Sequence, residues 1–324
     1  MLDSLGRDID YIRISITDRC NLRCRYCMPE EGVQPLSHCD VLRYEELLRL
    51  TRAAVRIGVR NVKVTGGEPL ARKGCIDFLR ELKSLPGIEH VTITTNGVLL
   101  ESALADLVQM KIDGVNISLD SLSGETYRHI TRQDAFPAVW RAIVKAVEAG
   151  LRVKVNCVPI AGLNDMEIVD FALLTEDMPI DVRFIEFMPS GVGESLEGIS
   201  GEEILGRLTE AYPDLIQDTR RRGFGPARYF KSSKMRGSIG IIDALGSCFC
   251  PGCNRVRLTS DGFLKLCLFH DKGLDLREML RSGADDNEIE AAITEAIFRK
   301  PERYTLGGIT GPDMSIKNMS QIGG

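Results

Sequence analysis

The run Tyr11-Ile12-Arg13-Ile14-Ser15-Ile16-Thr17-Asp18-Arg19-Cys20-Asn21-Leu22-Arg23-Cys24-Arg25-Tyr26-Cys27 leads an apolar, β-branched segment directly into three cysteines spaced Cys-x3-Cys-x2-Cys. Three thiolates in one tight loop can hold three irons of a [4Fe–4S] cube and leave the fourth iron open to a small molecule. The same residues can also be read as a disulfide plus a spare thiol, or as three ligands of a zinc site. Zinc sites are usually built from paired Cys-x2-Cys knuckles, and this stretch has no fourth ligand. Tyr26, between the last two cysteines, is either a loop aromatic or a cover for the bound molecule.

The chain has 324 residues, 44% of them hydrophobic and 27% charged, which is the composition of a globular protein with a sizeable core. That length exceeds the usual single domain, although an α/β barrel can run as far. A net charge of −5 gives no general affinity for polyanions, so nucleic acid is not an expected partner. No apolar run reaches the roughly 18 residues of a membrane span. The N-terminus lacks a basic stretch followed by an apolar one, so no signal peptide is expected and the cytoplasm is the expected location. Ten cysteines in such a setting point to metal binding or catalysis rather than disulfides.

Downstream of the cysteine loop, short apolar strands alternate with helical periodicity. Strands are expected at 61–65, 90–95, 115–119, 151–158 and 181–187, and helices at 44–56, 75–85, 99–110, 138–149 and 165–174. With the first strand this makes six strand–helix units, the strands apolar on both faces as covered parallel strands must be. Active sites of such folds lie at the carboxyl ends of the strands. Thr17, Thr65, Thr94-Thr95 and Ser118 fall there, and Gly66-Gly67-Glu68-Pro69 follows one of them. Glycines there allow close approach of the backbone to a ligand, or mark a plain turn.

The alternation ends near Leu196, and a basic stretch around Arg220-Arg221-Arg222 reads as a solvated loop. Then come Cys250-Pro251-Gly252-Cys253 and, beyond a turn at Ser260-Asp261-Gly262, Cys267. These three thiols suit a zinc ribbon with an unseen ligand as well as a second cluster, and Cys248 can replace Cys250 as far as spacing goes. Arg255 and Arg257 flank Val256 and point to one face of a strand, where they can bind phosphate oxygens. Arg13, Lys63, Lys154 and Arg183 occupy other strand positions, where an unpaired cation is costly. Such a set suggests a polyanionic guest, with ion pairing to Asp18, Glu68 or Glu186 as the competing account.

The cysteine loop, with Ile12 to Arg19 before it and Met28-Pro29 after it, resembles radical S-adenosylmethionine (SAM) enzymes, and among them the GTP 3′,8-cyclase family of molybdenum cofactor synthesis. The resemblance runs from Tyr11 to Gly324. It implies an α/β fold, an incomplete (β/α)6 TIM-type barrel over residues 1–230, with a C-terminal extension over 231–324. It implies that Cys20, Cys24 and Cys27 hold a [4Fe–4S] cluster that cleaves SAM to a 5′-deoxyadenosyl radical, with Tyr26, Gly67, Ser118 and Met188 contacting SAM. A second [4Fe–4S] cluster on Cys250, Cys253 and Cys267 would bind the guanine of GTP. Arg13, Lys63, Thr94, Lys154, Arg183, Arg255, Val256 and Arg257 would contact the substrate.

The implied reaction removes hydrogen from the ribose 3′ carbon, joins it to carbon 8 of the base and ends at 3′,8-cyclo-7,8-dihydro-GTP. It needs a reducing electron donor, and a homodimer is expected. Two departures from the family pattern stand out. Lys63 replaces a common arginine, and Pro189-Ser190 follows Met188. The terminal Gly323-Gly324 matches a pair that reaches the active site in that family, whereas composition alone reads the tail as frayed. A peptide-modifying radical SAM enzyme and a non-catalytic metal module are the competing functions.

Overall fold

In chain order the strands are β1 (Tyr11–Ser15), β2 (Asn61–Thr65), β3 (His90–Thr95), β4 (Gly114–Ser118), β5 (Val153–Cys157), β6 (Asp181–Ile185), β7 (Ile216–Asp218), β8 (Arg228–Lys231), β9 (Ser238–Ile242), β10 (Arg255–Leu258), β11 (Phe263–Lys265) and β12 (Gly273–Asp275). The helices are α1 (Tyr44–Arg56), α2 (Cys75–Ser84), α3 (Leu100–Gln109), α4 (Gly124–Thr131), α5 (Phe136–Glu148), α6 (Ile168–Asp177), α7 (Gly201–Ala211), α8 (Leu276–Arg281) and α9 (Asp286–Phe298). This computed structural model describes residues 1–188, 196–220, 222–243, 249–270, 272–303 and 319–322. The chain forms two units, one of Met1–Asn21, Val33–Ile93 and Cys250–Gly324, the other of Leu22–Gly32 and Thr94–Phe249.

In the first unit the strand order is β12-β11-β10-β1-β2-β3, parallel from β10 to β3 and antiparallel from β10 out to β12. Ile12, Ile14, Val62, Val64, Val91 and Ile93 are all buried, as strands covered on both faces require. Helix α1 turns Leu47, Leu48 and Leu50 inward, and Tyr44 stacks on Phe78 of α2 at 4.8 Å. Helix α9 begins with a capping box in which Asp285 and Glu288 satisfy each other's backbone amides.

The second unit repeats the logic in the order β4-β5-β6-β9-β8-β7, parallel from β4 to β9 and antiparallel beyond. Among the described residues neither set of strands closes on itself. The six strand–helix units read from periodicity are present, and β10 and β9 add a further parallel strand beside β1 and β6 respectively. Their long-range pairing has no local signature, so the last third of the sequence looked separate from the sheets. Helix α4 was also not anticipated. Ser123 caps it by accepting the Thr126 amide at 3.3 Å, and Tyr127 and Ile130 bury its inner face.

The glycine pair after β2 has a packing reason of its own. A Cβ on Gly67 would lie 2.3 Å from the Arg19 carbonyl oxygen. Its amide donates to the Thr17 carbonyl at 2.7 Å, and the Glu68 amide donates to that of Arg19 at 2.8 Å. The chain leaving β2 is thus hydrogen-bonded along the segment that leads from β1 to Cys20. Gly67→Ala forces these backbones apart, and overpacking of this kind costs about 1–3 kcal/mol. The expected result is a lower urea midpoint for unfolding, and a midpoint equal to that of the parent would refute the packing role.

Candidate functional site

The register of the first sheet brings four cations into one row. Arg13 on β1 lies opposite Arg257 on β10 and Lys63 on β2, and Arg257 lies opposite Lys265 on β11. Neighbouring strands run about 4.8 Å apart, and like charges directly opposite each other repel. Arg255 sits two residues from Arg257 on the same face, opposite Tyr11. Burial, with the guanidinium groups of Arg13 and Arg255 beside it, pushes Arg257 well below the ordinary arginine value. A guanidinium does not shed its proton in a protein.

The C-terminal cysteines adjoin this row. Cys250 to Gly252 make one tight helical turn, in which the Cys253 amide donates to the Cys250 carbonyl at 3.1 Å. Asn254 then ties the turn to β1, donating through Nδ2 to Asp10 at 2.6 Å. Because β10 and β11 form an antiparallel hairpin, Cys253 before β10 and Cys267 after β11 come to the same end of it. Burial raises the Cys253 thiol, but Lys300 and Arg255 outweigh it and hold the group below its usual value. That favours the thiolate, the form that ligates metal.

None of Cys20, Cys24, Cys27, Cys250, Cys253 and Cys267 is joined in a disulfide, so the disulfide reading is set aside. Among the described residues, no three His, Cys, Asp or Glu side chains converge as ligands of a single ion. A cube takes one thiolate on each of three irons, so a motif of three cysteines supplies the ligands it needs.

In the second unit, Cys24, Tyr26 and Cys27 lie on a short turn where the Cys27 and Met28 amides donate to the Cys24 carbonyl, at 2.9 and 3.1 Å. The Tyr26 hydroxyl donates to Asp120 at 2.7 Å, beyond the end of β4. The other Asp120 oxygen accepts the Val158 amide at 3.0 Å. Burial pushes the Asp120 carboxyl up to about 6 against the pull of these two donors. Tyr26 is thereby fixed between the two cysteines, a constraint that spacing did not disclose.

Arg183 on β6 is held by amides rather than by a carboxylate. It donates to Asn156 Oδ1 through Nε at 2.9 Å and to Asn116 Oδ1 at 2.6 Å. A Cβ on Gly240 would lie 2.9 Å from its side chain, which is why glycine stands opposite it on β9. Lys154 instead pairs with Asp181 at 3.4 Å and donates to the Tyr229 hydroxyl at 2.6 Å. Burial and the neighbouring Arg183 bring Lys154 down to about 7.

Two of the acidic residues considered from sequence also accept backbone amides. Asp18 accepts the Leu36 amide at 2.7 Å, and Glu68 accepts that of Leu70 at 3.0 Å. Arg222 is structural, pairing with Asp181 at 3.0 Å and with Asp218 at 2.8 Å.

Ser118 ends β4, Thr94 lies on β3, Val256 is buried in β10, and Met188 is half-buried beyond β6. Cys248, Arg221, Pro189-Ser190 and Gly323-Gly324 lie outside the described residues. Sequence reasoning missed Asp120, Asn116, Asn156, Lys265 and Lys300. Of these, only the buried lysines carry a residue-type signal.

The Asp120 arrangement predicts a pH dependence. Its folded value of about 6 lies above the ordinary 3.8, so the folded state binds this proton more readily. The resulting stabilisation is complete below about pH 4 and is lost as pH rises through about 6. Unfolding free energies of the parent and of Asp120→Asn, measured from pH 4 to 7, should show the parent losing ground to the variant. A pH-independent difference would refute the assignment.

Residues 14–175 match the model of the radical SAM superfamily, and residues 180–306 match the molybdenum cofactor synthesis C-terminal model. The chain is 44% identical to the GTP 3′,8-cyclase of Desulforamulus reducens over 100% of both chains. It is 43% identical to that of Geobacter sulfurreducens over 100% of this chain and 99% of the relative. The fold is similar to that of Streptococcus suis SuiB bound to S-adenosylmethionine, with TM-score 0.63 and 16% identity over 88% of this chain and 67% of that one. It is also similar to anSMEcpe with bound AdoMet, with TM-score 0.59 and 17% identity over 90% and 81% of the two chains. Among the described residues no helix is long and apolar enough to cross a membrane. With one cysteine motif leading out of β1, another beside a row of cations, and full-length relatives of one activity, the chain belongs to the GTP 3′,8-cyclase family of the radical SAM superfamily.

Proposed function

We infer that this protein converts GTP to 3′,8-cyclo-7,8-dihydro-GTP in molybdenum cofactor biosynthesis, using SAM and [4Fe–4S] clusters. The observation that carries the reading is the row Arg257–Arg13–Lys63, in register on one sheet face beside the Cys250–Cys253 turn. A triphosphate is the small-molecule polyanion that such a row is suited to hold. The proposed ligands are Cys20, Cys24 and Cys27 for one cluster and Cys250, Cys253 and Cys267 for the other. When bound, the clusters and SAM supply one-electron chemistry and a hydrogen-abstracting carbon radical.

The contribution of the chain itself is placement. Arg13, Arg255 and Arg257 present guanidinium forks to phosphate oxygens, while Lys63 offers a single point charge. Arg183, oriented by two asparagine amides, and Lys154, Thr94 and Val256 are further proposed substrate contacts. Tyr26, Gly67, Ser118 and Met188 are the proposed contacts to SAM. Fixing a reactive atom against one hydrogen substitutes for a chance encounter, and it is where most of the protein's catalytic effect would lie. A homodimer, a cytoplasmic location and a cellular electron donor complete the proposal. The functional partition at residues 230 and 231 is retained with it.

The test is anaerobic reconstitution with iron and sulfide, followed by incubation with GTP, SAM and dithionite. Formation of 5′-deoxyadenosine together with the cyclised nucleotide is expected. Arg257→Gln removes one charge-assisted contact worth about 1.5–3 kcal/mol, so GTP should bind roughly 10- to 100-fold more weakly while SAM cleavage persists. Parent-like GTP affinity in this variant, measured by calorimetry, would sink the assignment of the row.

A further inference from the structure

Lys300, just beyond α9, is only 4% exposed although it carries a charge. Its Nζ donates to the carbonyl of Leu266, the residue preceding Cys267. Arg7 fixes the backbone at this point. Its guanidinium donates to the carbonyls of Lys300, Pro301 and Glu302 at 3.2, 2.9 and 3.0 Å, and to that of Cys250 at 3.1 Å. Arg7 is itself buried and braced by Asp3 at 2.6 Å. One arginine thus joins the Cys250 turn to the segment that carries Lys300, and Lys300 joins that segment to Cys267.

A buried ammonium needs a negative partner. After burial, which disfavours its charge, the groups acting on Lys300 are the sulfurs of Cys253 and Cys267, which favour it, followed by Arg7 and Arg255, which oppose it. The groups that favour its charge are therefore two of the three thiols expected to hold the second cluster.

We propose that Lys300 is a positioning residue of the Cys250–Cys253–Cys267 cluster site, a fixed buried cation that holds the Cys267 segment and sets the reduction potential of the cluster. The proposal rests on the reading above that these cysteines hold a [4Fe–4S] cluster. A positive charge held against the ligand shell favours the reduced form, which carries one more electron. Removing that charge makes the cluster harder to reduce.

The test uses the full chain with Cys20, Cys24 and Cys27 changed to alanine, so that only the second cluster can form, reconstituted anaerobically. Iron content and dithionite-mediated redox titration followed by electron paramagnetic resonance are measured for this parent, for Lys300→Gln and for Lys300→Arg. Glutamine keeps a donor for the Leu266 carbonyl but drops the charge, while arginine keeps both. The expected result is full iron with a more negative midpoint potential in Lys300→Gln, and a parent-like potential in Lys300→Arg.

Loss of iron in Lys300→Gln but not in Lys300→Arg would also support the proposal, since the charge would then be needed to retain the ligand shell. A parent-like potential in Lys300→Gln, or an equal displacement or loss of iron in both variants, would overturn it. Absence of iron from the parent itself would overturn the cluster reading on which the proposal rests.

Discussion

Like charges held in register are the constraint on which the first unit turns. Backbone ladders align Arg257, Arg13 and Lys63 across β10, β1 and β2, where like charges directly opposite each other repel. A strand residue keeps its direction, so the row holds its geometry as firmly as the ladders themselves.

The second unit handles its cations differently. Arg183 is oriented by the side-chain oxygens of Asn116 and Asn156, neutral acceptors that set direction without cancelling charge. Lys154 faces Asp181, which also pairs with Arg222 and accepts from the Ser238 hydroxyl at 2.6 Å. Asp181 thus serves two cations at once, while Asp218 gives Arg222 a second carboxylate.

The two cysteine regions are also supported from outside the motifs that define them. Asp120 holds Tyr26 by its hydroxyl, and so fixes the turn bearing Cys24 and Cys27. Arg7 and Lys300, from opposite ends of the chain, hold the backbone next to Cys250 and Cys267. Residues of this kind orient ligands, and their loss is felt at the metal even though they do not touch it.

The sequence by itself determined the kind of chemistry and the kind of fold. The Cys-x3-Cys-x2-Cys loop, the six alternations of strand and helix and the second Cys-x2-Cys knuckle are all local patterns, legible because side-chain periodicity and ligand spacing act over a few residues. It also supplied the individual cations. Only the tertiary structure decided that β10 pairs with β1 and β9 with β6, that Arg257, Arg13 and Lys63 share one row, and that Gly67 is required by the neighbouring backbone. Pairing register and buried contacts between remote segments are fixed by ladder hydrogen bonds and close packing, and neither leaves a periodic trace in the chain.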